Sequence, residues 1–258
     1  MFVTTAGRTN LEMIEQAKQI AKDLQVKYIA RKKRSIRSIQ HVLQDDCIVV
    51  GKDRLELYPF GENEPFFFHP NSAMFRLKRL VKGEHDPFLE AAQLKPGMSF
   101  LDCTLGLASD SIIASFAVGE KGAVTGVEAN PYLAYIVDKG LNKWTSSLKI
   151  MDQAMRKINV VSSFSTNYLQ TLSDESYDVV YFDPMFEENI LESDGIKALT
   201  KIAVYHDLDE ELMKEAMRVA RKRVVLKDHF RSSRFEKFGF HVFKRKTAKF
   251  HFGVLEKQ

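Results

Sequence analysis

The stretch YDVVYFDPMF, residues 177–186, reads as a buried strand that ends in an acid, a proline and an aromatic residue. Such an apolar run is typical of a parallel strand that is covered on both faces. At its end, the Asp183 carboxylate and the Pro184 carbonyl can accept the two N–H protons of a planar amine while Phe186 stacks on the attached ring. This amine grip would orient a poor nucleophile, although the same residues are also common in a plain turn.

Strand and helix patterns alternate around this stretch from residue 98 onward, which is typical of a parallel sheet. The last two strands are separated by four residues, which predicts an antiparallel hairpin. The fold class is therefore α/β and Rossmann-like, with a mostly parallel seven-stranded sheet in the order of class I methyltransferases rather than dinucleotide dehydrogenases. The predicted strands are Met98–Cys103, Ala123–Glu128, Asn159–Ser162, Asp178–Phe182, Arg223–Lys227, Phe240–Lys244 and Lys249–Leu255. The predicted helices are Ser109–Val118, Pro131–Ser146, Glu187 or later to Val204, and Asp209–Ala220.

The chain before residue 98 has a different pattern, which predicts a small α+β appendage. Apolar residues recur at helical spacing from Leu11 to Leu24, and Thr9 or Asn10 can cap the start of this helix. Further helical patterns cover residues 72–94, and the segment Lys95–Gly97 then ends the helical pattern. The short predicted strands of this part are Val26–Ile29, Cys47–Val50, Arg54–Tyr58 and Phe66–His69.

The composition is that of an ordinary globular protein, with 45% hydrophobic and 28% charged residues. The most apolar long run, Ile112–Val118, is too short to span a bilayer, and Met1–Asn10 lacks the pattern of a secretory signal. We therefore expect a cytoplasmic protein without a membrane contact. Cys47 and Cys103 lie far apart, which excludes a zinc site built on paired cysteines, and the seven scattered histidines also argue against a metal.

The chain divides near residue 97 into an N-terminal basic region, residues 1–97, and an α/β domain, residues 98–258. The first part holds 16 basic residues against 12 acids, whereas the second holds 22 of each, so the whole net charge of +4 lies in the first part. One basic block, Lys27–Arg37, has six basic residues and no acid, and another, Arg221–Lys249, has 11 basic residues against two acids. Two such blocks around a catalytic core favour a polyanionic partner such as RNA, although a short basic run is often only a solvated face.

The first strand of the α/β domain leads into the loop LDCTLGLASD, residues 101–110. Ligands of open α/β sheets bind beyond the carboxyl ends of the strands, so Asp102 and the following loop are candidates for a cofactor site. Gly106 allows a tight turn and a close backbone approach to a nucleotide-like ligand, and Ser109 or Asp110 can serve the next helix N-terminus. Ala108 stands where a second glycine is expected. A capped helix without any ligand is the alternative.

Glu128 ends the second strand of the same domain, 22 residues after Gly106. An acid about 20 residues after a glycine loop is placed to hydrogen-bond both hydroxyls of a ribose. Such an acid fits either NAD or S-adenosylmethionine. The amine grip at Asp183 decides between them, because hydride transfer has no use for it whereas methyl transfer does. The predicted cofactor is therefore S-adenosylmethionine, with no metal.

Three segments of the chain resemble one known family. The loop Asp102–Asp110 resembles the family loop DATAGLGRD, residues 182–187 resemble LDPMFP, and Lys222–Lys227 resembles KRVVVK. These motifs belong to the bacterial 16S ribosomal RNA guanine-N2 methyltransferases called methyltransferase J. The resemblance covers roughly residues 54–227 and implies methyl transfer from S-adenosylmethionine to guanine N2 in ribosomal RNA.

The resemblance also implies roles for individual residues. Glu128 and Ala129 would hold the cofactor ribose, and Ser165 and Thr166 would flank its adenine. Asp183 would both border the cofactor and accept from the target amine, with Pro184 and Phe186 as its catalytic partners. The implied cofactor-binding set is Asp102, Gly106, Ser109, Asp110, Glu128, Ala129, Ser165, Thr166 and Asp183.

The chain departs from the family pattern in the cofactor loop and directly after the amine grip. Two other functions therefore stay open: a non-catalytic RNA-binding or ribosome-assembly factor on the same fold, and a methyltransferase of a protein amide or an adenine amine. Lys227, which ends the fifth strand, can touch a substrate phosphate or extend to solvent. The departures are Cys103 for Ala, Leu105 for Ala, Ala108 for Gly, Ser109 for Arg and Glu187 for Pro.

Overall fold

Two β-sheets with surrounding helices make up the computed structural model, which describes residues 1–62, 64–184, 208–246 and 248–257. The predicted helix that ends at Val204 lies outside the described residues, as do Met185, Phe186 and Glu187. No helix in the described part of the chain is both long and apolar enough to cross a membrane.

The small sheet is built from four short strands near the N-terminus. These are β1 (Phe2–Thr5), β2 (Lys27–Tyr28), β3 (Cys47–Val50) and β4 (Leu55–Tyr58), and two helices, α1 (Leu11–Asp23) and α2 (Ile36–Leu43), connect them. The strand order is β2-β1-β3-β4. β1 is parallel to β2 and β3, whereas β3 and β4 are antiparallel.

The sequence predicted this region only in part. The helix from Leu11 is confirmed, and the Asn10 side chain caps it by accepting a hydrogen bond from the Met13 backbone N–H at 2.8 Å. The strand predicted at Phe66–His69 is wrong, because only a single bridge joins Phe66 to Leu57 there. β1 and α2 were missed, since β1 has four residues and no turn signal before it.

The large sheet confirms the predicted α/β fold. Its strands are β5 (Ser99–Asp102), β6 (Ala123–Glu128), β7 (Ile158–Ser162), β8 (Tyr177–Phe182), β9 (Ala220–His229), β10 (His241–Phe243) and β11 (Phe250–Glu256). They lie in the order β10-β11-β9-β8-β5-β6-β7. β5 to β9 are parallel, and β11 is antiparallel to both β9 and β10.

Helices cover both faces of this sheet. They are α3 (Asn71–Val81), α4 (Pro87–Ala92), α5 (Ser109–Val118), α6 (Pro131–Lys143), α7 (Lys149–Arg156), α8 (Ser165–Gln170), α9 (Glu210–Val219) and α10 (Arg234–Lys237). Successive strand residues belong to different buried clusters: Phe100 and Tyr181 pack on one face, and Leu101 and Val180 on the other. This alternation leaves both faces apolar, as a covered parallel sheet requires.

Helices from the region before residue 97 pack directly on the large sheet. The ring of Phe88 on α4 contacts the rings of Phe100 and Tyr181 edge to face, with centroid distances of 5.6 and 5.1 Å. Edge-to-face aromatic pairs of this kind stabilise a core beyond the area that they bury. The division of the chain at residue 97 stays a prediction.

The close contact between Gly140 on α6 and Phe68 generates a stability prediction. A Cβ added at Gly140 would lie 2.2 Å from Cγ of the buried Phe68 ring. We expect Gly140→Ala to lower the free energy of unfolding by roughly 1–3 kcal/mol, because this clash exceeds the gain in helix propensity of about 1 kcal/mol. Urea denaturation of Gly140→Ala with and without Phe68→Ala, which removes Cγ and the ring, checks it. A Gly140→Ala cost that is equal in both backgrounds would contradict the clash.

Candidate active site

The candidate site lies where the chain order of the large sheet reverses. From β5 the chain continues to β6 and β7 on one side, and β8 and β9 lie on the other side. Such a switch point leaves a crevice at the carboxyl ends of the central strands, where open α/β sheets bind their ligands. The ends of β5, β6 and β8 therefore bring the predicted site residues to one edge.

Asp102 organises the loop that follows β5. One of its carboxylate oxygens accepts from the Thr104 backbone N–H at 3.0 Å, and the other accepts from the Ser111 hydroxyl at 2.6 Å. The side chain is buried, and burial raises the pKa of Asp102 to about 7 against the lowering effect of these hydrogen bonds. Both oxygens are engaged within the protein and hold the loop after β5 in shape, and the predicted cofactor contact of Asp102 stays a prediction.

Two residues of this loop have left-handed backbone conformations. Gly106 has φ = 48°, which glycine adopts without a steric cost. Ala108 has φ = 60° and precedes the first residue of α5. The sequence expectation that a glycine would suit position 108 therefore has a structural reason, and alanine accepts the strain that glycine would avoid.

Glu128 connects the end of β6 to this loop. Its carboxylate accepts from the Gly106 backbone N–H at 3.2 Å and from the Asn130 backbone N–H at 3.0 Å. The side chain is 9% exposed, and burial raises its pKa. An ionised carboxylate has about four acceptor positions, so these two bonds leave capacity for ribose hydroxyls. Ala129 follows directly and is half-buried.

The start of α8 supplies the next two predicted cofactor residues. The Ser165 hydroxyl donates to the Cys103 carbonyl at 2.5 Å, which holds α8 against the loop after β5. The Thr166 hydroxyl oxygen is buried and has no hydrogen-bond partner in the described part of the chain. A buried hydroxyl without a partner is costly, so this atom fits a site that a polar ligand completes.

Asp183 lies beside the same loop at the end of β8. Its backbone N–H donates to the Thr104 hydroxyl at 2.6 Å, and one carboxylate oxygen accepts from the Lys227 ammonium at 2.5 Å. The side chain is 26% exposed. Among the described residues no donor contacts its second oxygen, which leaves that oxygen available to an amine. Pro184 follows and is buried, whereas Phe186 lies outside the described residues.

Five charged residues form a continuous ion-pair chain that ends at Asp183. Arg76 on α3 contacts Asp110 at 2.5 Å, and Lys227 contacts Asp110 at 3.2 Å and Asp183 at 2.5 Å. At the far end, two nitrogens of Arg76 donate to the two oxygens of Asp86 at 2.8 and 2.9 Å. Charge-assisted, bidentate contacts of this kind are stronger than neutral hydrogen bonds, and they also fix the relative orientation of the two side chains.

The ion-pair chain holds three carboxylates and two cations, and its charges act on the pKa values of Asp110, Asp183 and Lys227. Burial alone would raise the pKa of Asp110, but Lys227 and Arg76 hold it well below its usual range. Burial raises the pKa of Asp183 to about 6 and the charge of Asp110 adds to this, although Lys227 opposes both. Burial would lower the pKa of Lys227, yet its two carboxylate partners raise it. Lys227 is therefore charged at neutral pH, and the pKa of Asp183 lies above that of Asp110.

The sequence placed Asp110 next to the cofactor, and the structure gives its side chain another use. Its carboxylate accepts from Arg76, Lys227 and the Tyr181 hydroxyl, the last at 2.9 Å. A cofactor contact by Asp110 or the half-buried Ser109 would thus come from the backbone N–H groups that begin α5.

The sequence missed Thr104, Arg76 and Tyr181 as parts of the site. Thr104 lies within the loop at residues 101–110, and its hydroxyl could have been predicted from the sequence as a hydrogen-bonding group of the site. Arg76 lies in a run of basic residues on a helix, where nothing distinguishes it from its neighbours. No group of three or more potential metal-ligating side chains occurs among the residues that the structure describes.

Comparisons with known proteins agree with this geometry. A family model described as "Putative SAM-dependent methyltransferase" matches residues 10–251. The uncharacterized protein YpiP of Bacillus subtilis (strain 168) is 49% identical over 255 residues, which is 99% of each chain. Ribosomal RNA small subunit methyltransferase J of Shewanella loihica is 30% identical over 198 residues, 72% of this chain and 71% of that protein. The same enzyme of Shewanella sediminis is 31% identical over 193 residues, with the same two shares.

A solved structure supports the fold. The SAM-dependent methyltransferase NGO1261 from Neisseria gonorrhoeae superposes with a TM-score of 0.63, covering 99% of this chain and 96% of that one. At 16% identity this likeness speaks for the fold alone. The family model covers nearly the whole chain, and the predicted resemblance to methyltransferase J is confirmed. The chain therefore belongs to the family of S-adenosylmethionine-dependent methyltransferases, and S-adenosylmethionine is its cofactor.

Proposed function

We propose that this protein methylates a planar exocyclic amine, the N2 atom of a guanine in ribosomal RNA. The observation that carries the proposal is the position of Asp183, an incompletely engaged carboxylate beside the cofactor loop. The curated relatives named ribosomal RNA small subunit methyltransferase J support ribosomal RNA as the substrate class. A substrate of this kind places the enzyme in the cytoplasm.

Residues at the ends of four elements fit the cofactor. Glu128 has acceptor capacity for a ribose, and the unpartnered hydroxyl of Thr166 can hydrogen-bond an adenine. Gly106, Ala129 and Ser165 line the same edge between them, and the start of α5 adds backbone N–H groups. When bound, S-adenosylmethionine supplies a methyl group that its sulfonium already activates. The protein therefore needs to orient the acceptor, exclude water and remove one proton.

Asp183 performs the orienting step in this proposal. Its second carboxylate oxygen accepts one N–H of the amine, and the Pro184 carbonyl accepts the other, so the nitrogen lone pair faces the methyl group. Phe186 would stack on the base. After transfer, the amine nitrogen carries a positive charge and an additional bond, and its proton passes to Asp183 or to water. Lys227 holds Asp183 in place during both steps.

Removal of the Asp183 carboxylate tests this role. We expect Asp183→Ala to abolish methyl transfer and Asp183→Asn to lower kcat/KM by at least roughly 100-fold, because an amide places an N–H where the amine needs an acceptor. Cofactor binding, measured by calorimetric titration, should be weakened but measurable in both. Asp53→Ala, which removes an exposed carboxylate from the turn after β3, is the matched control. Full activity of Asp183→Ala would overturn the assignment.

The pH dependence of kcat/KM tests the state of Asp183. Because the pKa of Asp183 is about 6 and only its ionised form accepts the hydrogen bond of the amine well, activity should fall roughly tenfold per pH unit below about pH 6. Lys227→Met removes the cation that lowers this pKa, so the acid limb should move upward by roughly one unit or more. Lys121→Met, an exposed lysine before β6, should leave the limb unchanged. An unmoved limb in Lys227→Met would mean that another group titrates.

The substrate is tested in cells by deletion of the gene. Nucleosides of small-subunit ribosomal RNA from the deletion strain, measured by mass spectrometry, should lack N2-methylguanosine at one site. Wild-type protein should restore it, and Asp183→Ala should not. An unchanged profile together with cofactor binding would point to a protein amide or an adenine amine. An unchanged profile without cofactor binding would point to a non-catalytic RNA-binding or ribosome-assembly factor.

A further inference from the structure

Two loops lie side by side next to the acceptor end of the site. One follows β9 at residues 230–233, and the other joins β10 to β11 at residues 244–249. Phe250, the first residue of β11, is the register partner of His229, the last residue of β9. The Phe230 backbone N–H also donates to the Lys249 carbonyl at 3.1 Å. Both loops are therefore at the carboxyl edge of the sheet, where Asp183 lies.

The ring of Phe250 connects these loops to Asp183. The Lys227 ammonium lies 5.0 Å from the centroid of this ring, and the Arg245 guanidinium lies 4.8 Å from it. Since Lys227 also contacts Asp183 at 2.5 Å, a continuous series of contacts runs from the acceptor carboxylate to Arg245. The loops are thus contiguous with the proposed amine site.

An exposed aromatic ring stands among basic side chains on these loops. Phe230 is 43% exposed, and the guanidinium of Arg231 lies 5.0 Å from its ring centroid. Lys246 and Lys249 are exposed, and Arg245 is half-buried. We call the set Phe230, Arg231, Arg245, Lys246 and Lys249 the Phe230 surface. An exposed ring with cations around it matches the way in which proteins bind unpaired nucleotides.

Charge on the Phe230 surface is unbalanced. The two loops contain no acid in their sequence, and their basic residues are Arg231 on the first loop and Lys244, Arg245, Lys246 and Lys249 on the second. The remainder of the second basic block behaves differently. Arg221 and Lys222, at the start of β9, contact Asp178 at 3.2 and 3.7 Å. They lie at the amino edge of the sheet, away from the site.

We propose that the Phe230 surface binds the single-stranded RNA that flanks the target base. Phe230 stacks on an unpaired base, and Arg245 and Lys246 contact the phosphates beside it. A single strand is required because a duplex hides the faces of its bases inside the stack. The inference rests on the proposed function for the identity of the substrate, and it assigns the RNA contact to one half of the second basic block.

RNA binding without methyl transfer tests this proposal. The probe is a fluorescein-labelled single-stranded RNA of mixed sequence, about 12 nucleotides long, which is in the range that such grooves cover. Fluorescence anisotropy gives its Kd for the full chain. Phe230→Leu keeps an apolar side chain without a stacking ring and should weaken binding on the order of tenfold, whereas Phe230→Trp should bind like wild type. Duplex RNA of the same length should bind more weakly than the single strand.

A charge variant tests the phosphate contacts independently of the stacking contact. Arg245→Ala/Lys246→Ala should reduce the slope of log Kd against log salt concentration by about 1.4, since each single-strand phosphate contact contributes about 0.7. Lys121→Ala/Lys143→Ala removes two exposed lysines from the amino edge of the sheet and should leave the slope unchanged. Calorimetric titration with S-adenosylmethionine confirms that each variant is folded.

Four outcomes would overturn the proposal. They are a wild-type protein that binds no RNA, Phe230→Leu with unchanged affinity, equal effects of the two charge variants, and equal affinity for the single strand and the duplex. The RNA-binding proposal and the proposed function can fail independently of each other. A protein that binds the strand through Phe230 but leaves ribosomal RNA unmethylated would contradict the proposed function and retain the Phe230 surface.

Discussion

The Lys227 ammonium lies between two carboxylates, 2.5 Å from Asp183 and 3.2 Å from Asp110, and the geometry of the acceptor side depends on it. Asp110 keeps its charge in this buried place because both Lys227 and Arg76 contact it, and Arg76 is fixed in turn by both oxygens of Asp86. Removing one member would leave a buried charge without its partner. The loss in stability would then exceed the net stabilisation that the intact pair provides. The position of Asp183, the proposed acceptor, is thus set by helices that precede the first strand of the large sheet.

The sequence predicted the edge of the sheet where the site lies, and the reason is geometric. All parallel strands point the same way, so Gly106, Glu128 and Asp183, each just after a strand, had to meet at one edge. The ion-pair chain could not be predicted in this way. Arg76 and Lys227 are 151 positions apart in the sequence, and their contacts with Asp110 arise only because α3 and β9 both lie next to the start of α5. Missed elements such as β1 and α2 are short, and their formation depends on tertiary packing more than on local pattern.

Charge in the sequence is also a poor guide to charge on a surface. The second basic block reads as one segment from Arg221 to Lys249, yet β9 passes through it. A strand of ten residues is roughly 33 Å long, so the start and the end of the block lie at opposite edges of the sheet. Arg234, in the middle of the block, is buried and contacts Asp228 at 2.9 Å. Only Lys227 and the part of the block on the two strand-end loops lie on the side of Asp183.

The left-handed backbone at Ala108 has a consequence for how loops of this class are recognised. A β-carbon in that region strains the folded state by about 1–2 kcal/mol, and the smaller number of unfolded conformations of alanine offsets only about 0.4–1 kcal/mol of this cost. The chain therefore keeps the left-handed turn at position 108 at a small net cost in stability. Counting glycines in the sequence overlooks this turn, whereas the backbone dihedral angles of Gly106 and Ala108 show it directly.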